Sequence, residues 1–125
     1  MNTETTNMVI VNEPILLFKG SYSQFNPELA EKLSLNEAIV LQQLHTLIEE
    51  NPISIDGYNW VHKMYDEWQE DHFPFWSRKT VQRIFRKLEN KELMKIKRYH
   101  YPGLGVTNYY RIDYENLKRY IDNIE

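Results

Sequence analysis

The stretch from Ser77 to Asn90 constrains this chain more than any other. Val81, Ile84, Phe85 and Leu88 recur at i, i+3, i+4 and i+7, which commits one face of a helix to a core. Lys79, Gln82, Arg83, Arg86 and Asn90 form an opposite stripe at the same spacing. Ser77 is placed to start the helix as its N-cap. The donors on the polar stripe suit phosphate oxygens and base edges. Spacing alone describes an ordinary solvated face equally well, so the charge distribution and the neighbouring elements must decide.

The net charge of −3 conceals a strong asymmetry. Residues 1–76 hold 3 Lys and Arg against 12 Asp and Glu, a net −9. Residues 77–100 hold 9 against 2, a net +7, and residues 101–125 hold 3 against 4, a net −1. A concentrated cationic segment on an acidic body points to a polyanionic partner. At 125 residues the chain reads as one domain with a modest core. It has no cysteine, hence no disulfide or thiolate metal site. The polar start, Met1 to Asn7, lacks a cationic leader, and no apolar run nears the ~20 residues of a membrane span. A cytoplasmic protein without membrane partners is the expectation.

Residues 1–27 read as an N-terminal arm. Met8-Val9-Ile10-Val11 and Ile15-Leu16-Leu17-Phe18 are short extended segments split by Asn12-Glu13-Pro14. Such an arm lies on its own domain or pairs with a second copy; hiding an apolar edge favours the homodimer. Residues 28–125 form the folded domain. Pro27 opens a short helix over Glu28 to Leu33, and Ser34 with Glu37 makes a capping box for a buried helix from Leu35 to Glu50. Asp56-Gly57 signals a turn, Tyr58 to His62 is β-prone, and Met64 to His72 suits a helix with Tyr65 and Trp68 inward. Phe73-Pro74-Phe75-Trp76 connects to the cationic helix. These rings suit a core and hinge better than a base-stacking platform.

Two strands follow, Leu93 to Tyr99 and Val106 to Ile112, with Met94 and Ile96 alternating against Lys95 and Lys97. His100 to Gly105 is the hairpin tip, and Gly103 and Gly105 lack the context of a phosphate loop. Asp113 caps a last helix carrying Leu117, Tyr120, Ile121 and Ile124. The fold class expected is α+β, mainly α: a winged helix-turn-helix with a C-terminal helix and an extended N-terminal arm. The basic helix and basic hairpin together predict double-stranded DNA as partner. The expected contacts are Ser77, Arg78, Lys79, Thr80, Gln82, Arg83, Arg86 and Lys87 on the helix, and Lys95, Lys97, Arg98 and His100 on the wing.

No catalytic set emerges. His45, His62, His72 and His100 are scattered without ligand spacing, and Asp66-Glu67-Glu70-Asp71 reads as a solvated helix face. Neither a cofactor nor a metal is expected.

Several runs carry a family resemblance: Asn59-Trp60-Val61, Glu67-Trp68-Gln69, Phe73-Pro74-Phe75-Trp76-Ser77, Thr80-Val81, Lys87-Leu88-Glu89 and Tyr109-Tyr110-Arg111-Ile112-Asp113-Tyr114. They resemble the N-terminal winged-helix domain of replication initiators, or replisome organisers, of Gram-positive phages and mobile elements, related in style to DnaD-like proteins. The resemblance spans about Leu33 to Ile121 and implies origin or operator DNA binding through Arg78, Lys79, Thr80, Gln82, Arg83 and Arg86. Two departures stand out. Glu92 occupies a position where relatives commonly have glycine, so the helix end is expected to differ. The further C-terminal region of replisome organisers, which contacts other replication proteins, does not follow Glu125; the chain is either a fragment or a stand-alone DNA-binding protein, such as a transcriptional regulator. The rival class is a winged-helix interaction module whose basic face meets an acidic protein.

Overall fold

A computed structural model describes residues 25–103 and 105–123. The proposed arm lies outside them except for its last few residues. The elements run α1 (Pro27–Lys32), α2 (Leu35–Glu50), β1 (Ile53–Ile55), β2 (Tyr58–Lys63), α3 (Tyr65–Glu67) continuing as a π-helical turn (Trp68–His72), α4 (Arg78–Asn90), β3 (Met94–Tyr101), β4 (Gly105–Ile112) and α5 (Tyr114–Asn123). The result is a mixed α+β fold with a four-stranded antiparallel sheet in the order β1-β2-β4-β3.

Local chemistry sets most boundaries. The Ser34 hydroxyl accepts the Glu37 amide at 3.2 Å and donates to the Glu37 carboxylate at 2.9 Å, which starts α2. Asp56 and Gly57 both have positive φ, 54° and 83°, as a two-residue hairpin between β1 and β2 requires. Asp113 accepts the Asn116 amide at 3.0 Å and opens α5. Two details differ from expectation. Ile53 to Ile55 forms β1, a strand too short for alternation to reveal. The segment after Met64 does not continue as an α-helix: the Phe73 amide reaches back five residues to the Trp68 carbonyl at 2.9 Å. In an α-helix, positions five apart point roughly 140° apart. The wider turn lets Trp68 and Phe73 both enter the core, their rings stacked at 14°.

The core joins α2, the π turn, α4 and one face of the sheet. Val40, Leu41, Leu44 and Ile48 meet Val81, Ile84, Phe85 and Leu88, and Tyr110, Met94 and Ile112 close it from the sheet. Trp68, Phe85 and Tyr110 meet edge to face with centroids 5.3 to 5.5 Å apart. Losing one of these fully buried rings removes about 3–5 kcal/mol of stability.

Candidate nucleic-acid interface

Every apolar position predicted for α4 is buried, which fixes the rotation of the helix. Lys79, Arg83, Arg86, Lys87 and Asn90 are exposed in consequence, and Gln82 is half-buried beside them. The Ser77 hydroxyl accepts the Thr80 amide at 3.1 Å and donates to the Thr80 hydroxyl at 3.0 Å. These two predicted contact residues therefore serve the helix start. Arg78 pairs with Asp66 of α3 at 2.8 Å. Among the described residues, Lys79, Arg83, Arg86 and Lys87 have no carboxylate partner.

The connection into α4 is tied down by hydrogen bonds. The Trp76 amide donates to the Phe73 carbonyl at 3.1 Å, and the Gln69 side chain donates to the Trp76 carbonyl at 3.1 Å. Phe73 and Trp76 are 5.2 Å apart, whereas Phe75 projects outward, 56% exposed. His72 closes the π turn. The Gln43 side-chain amide meets its Nδ1 at 3.2 Å. Its Nε2 is buried with no hydrogen-bond partner among the described residues. Burial, and then the nearby Lys63 charge, hold the His72 pKa below its ordinary value.

The hairpin cations are arranged differently. Arg98 makes a two-point pair with Glu89 of α4, both contacts at 2.9 Å. Hydrogen bonding to Arg98 lowers the Glu89 pKa, and the same bond raises that of Arg98. Lys97 reaches Asp56 at 3.3 Å and lies over the Trp60 ring at 5.6 Å. Lys95 stands 3.7 Å from Glu92 and 4.0 Å from Asp113. Strand alternation puts Arg98 and His100 on the side of Met94 and Ile96, which pack toward the helices, and puts Lys95 and Lys97 on the other side. The predicted contact residues thus fall into two groups on different surfaces.

The end of α4 is held by three elements. Glu92 takes the left-handed φ of 61° that its glycine-like position demands. The Leu93 amide then reaches the Leu88 carbonyl at 3.0 Å and the Glu92 amide the Glu89 carbonyl at 2.9 Å, with Leu88 and Leu93 both buried. The left-handed conformation costs about 1 kcal/mol for a residue with a side chain. Asn116 of α5 donates to the Glu92 carbonyl at 2.7 Å and the Lys91 carbonyl at 3.4 Å. Lys91 itself grips Glu37, a carboxylate only 3% exposed, at 2.8 and 3.0 Å.

Sequence reading missed the Glu89–Arg98 and Glu37–Lys91 pairs and the Asn116 cap. The capping box already marked Glu37, but its second partner is 54 positions away. Among the described residues, no group of three or more His, Asp and Glu side chains is placed to hold a metal ion. No described helix is long and apolar enough to cross a membrane. No protein-family model, curated protein or solved structure matches the chain.

Proposed function

We propose that the chain binds double-stranded DNA as a winged helix-turn-helix domain, in replication initiation of a phage or mobile element. The observation that carries this reading is the stripe of Lys79, Arg83, Arg86 and Lys87, exposed and without carboxylate partners among the described residues, on a helix whose other face is wholly buried. Four cations held free of acids on an otherwise acidic chain have little structural use, and phosphate is the anion that such a row fits. In this reading α4 enters the major groove, with Arg83 and Gln82 toward base edges and Lys79, Arg86 and Lys87 toward phosphates. Arg78 exchanges Asp66 for phosphate on binding. The β3–β4 hairpin is the wing, and its contribution narrows to His100 and the tip, since Lys95, Lys97 and Arg98 are engaged elsewhere. The resemblance of the residue runs around Trp60, Trp68, Phe73–Ser77 and Tyr109–Tyr114 is the support for replication, with a stand-alone transcriptional regulator of the same fold as the alternative. Pairing of residues 1–27 with those of a second copy supplies a dimer and two half-sites.

Fluorescence anisotropy on a random duplex library at two salt concentrations, with sequencing of the bound fraction, tests the reading. The expected result is one enriched motif and an affinity that falls steeply with salt. Absence of binding at low salt overturns it in favour of a protein-docking module. Deleting residues 1–20 is expected to halve the particle mass in solution.

A further inference from the structure

The duplex reading leaves unused the face of the sheet turned away from α2 and α4. An antiparallel sheet normally shows solvent a polar, featureless outer face. Here the antiparallel register lines up aromatic and cationic side chains in cross-strand rows. Lys97, Tyr109 and His62 lie side by side across β3, β4 and β2. In the next row Lys95 is beside Arg111, and continuing the register brings Trp60 against it.

The rings are organised. His62 lies on Tyr109 with centroids 4.7 Å apart and planes inclined at 34°, and it is hydrogen-bonded to the Thr107 hydroxyl. Tyr99 meets Tyr109 edge-on at 5.5 Å. The Arg111 guanidinium sits 3.9 Å from the Tyr58 ring centroid and 5.3 Å from that of Trp60. Tyr58 is 52% exposed, His62 is exposed, and Tyr109, Arg111 and Lys97 are half-buried. Arg111 has no carboxylate partner among the described residues.

The charge is arranged along the same face. Its carboxylates, Asp56, Glu92 and Asp113, belong to the β1–β2 turn, the approach to β3 and the exit from β4, all at one end of the sheet. Toward the β3–β4 hairpin, the stretch bearing His62, Tyr109 and Thr107 carries none among the described residues. Ile53 and Ile55 of β1 share this face at its edge; the positions on β2, β3 and β4 offer rings with polar edges rather than the aliphatic area a second copy of the chain would call for. Flat rings spaced across strands with a stacked guanidinium beside them match a base-and-phosphate repeat. In a duplex the base faces are already stacked on one another, so only an unpaired strand presents them.

We propose that this outer face binds single-stranded nucleic acid, with bases stacking on Tyr58, His62 and Tyr109 and phosphates drawn by Arg111. The site lies across the sheet from α4 and does not depend on the duplex reading.

The test is anisotropy of the full chain at low salt, with a labelled oligo-dT of about ten nucleotides and a labelled blunt duplex. Wild type is expected to bind the oligomer. Tyr58→Ala and Tyr109→Ala should each weaken it by about tenfold, by the usual worth of one base–ring stack, and change duplex binding less than about twofold. Tyr109→Phe should retain oligomer binding, and Arg83→Ala with Arg86→Ala should spare it. Circular dichroism checks folding; Tyr58→Ala, at an exposed position, decides the matter if Tyr109→Ala unfolds. No oligomer binding by wild type overturns the proposal. So does equal loss in the Arg83/Arg86 variant, or a change of particle mass rather than of oligomer affinity in the Tyr58 variant. Oligomer binding without duplex binding would sustain this site and remove the duplex function.

Discussion

Helix α4 and strand β3 are both rich in cations, and they use them in opposite ways. On α4, Lys79, Arg83, Arg86 and Lys87 stand without carboxylates among the described residues; on β3, Lys97 and Arg98 each meet one and Lys95 meets two. In sequence the two segments look like one basic block. Charge density is therefore not the same as available charge. A carboxylate brought near by the fold offsets much of a cation's field, so unpaired cations attract a polyanion most strongly at range.

Four measurements test this contrast. The largest effect belongs to Lys91, the cation that ends α4 and is committed to a buried partner. Lys91→Met strands the Glu37 carboxylate and is expected to cost about 3 kcal/mol in denaturant unfolding. A cost below about 1 kcal/mol would show that the pair is solvated and the division between committed and free cations too sharp. Next, Arg83→Ala with Arg86→Ala should weaken duplex binding by about a hundredfold, some 2.7 kcal/mol, and leave stability within about 0.5 kcal/mol. Lys95→Ala with Lys97→Ala should change affinity less than about threefold. Similar losses in both would erase the comparison. Third, Glu92→Gly relieves the left-handed backbone between the two regions and should stabilise the fold by about 1 kcal/mol in the same unfolding assay.

The smallest effect concerns the pair that joins the regions. Hydrogen bonding to Arg98 depresses the folded Glu89 pKa below its ordinary 4.5. The folded state therefore takes up this proton later than the unfolded chain. The stabilisation is complete above that ordinary value and is lost as pH falls through the lowered one. Glu89→Gln should flatten this part of the acid unfolding profile and, by releasing Arg98, raise duplex affinity a few-fold at neutral pH. Unchanged acid unfolding would show that the pair is formed equally in the unfolded chain.

Strong periodicity made α4 and α5 legible, because burying one face of a helix needs only local spacing, while the Ser34–Glu37 capping box and a broad apolar surface marked α2. Alternation likewise assigned Lys95 and Lys97 to the side opposite Met94 and Ile96. The π turn was not legible, since Trp68 and Phe73 share a side only after the backbone has widened between them. The fate of the hairpin cations was hidden for another reason. Arg98 is nine positions from Glu89, and Lys97 is 41 from Asp56, so each pairing exists only once the sheet is folded against α4 and the β1–β2 turn. Candidate residues on the helix could be read locally; those on the strand required the tertiary structure. The outer sheet face was hidden in the same way, because Tyr58, His62, Tyr109 and Arg111 become neighbours only through strand register.

The Asn116 amide bridges two carbonyls at the end of α4 from a different helix. That makes the last turn of α4 a shared property of two segments. Hydrogen exchange at Lys91, Glu92 and Leu93 should therefore keep time with the opening of α5 rather than with the middle of α4. A ligand holding α4 would slow the breathing of the C-terminal helix without touching it, and a partner grasping α5 would stiffen the far end of the cationic row.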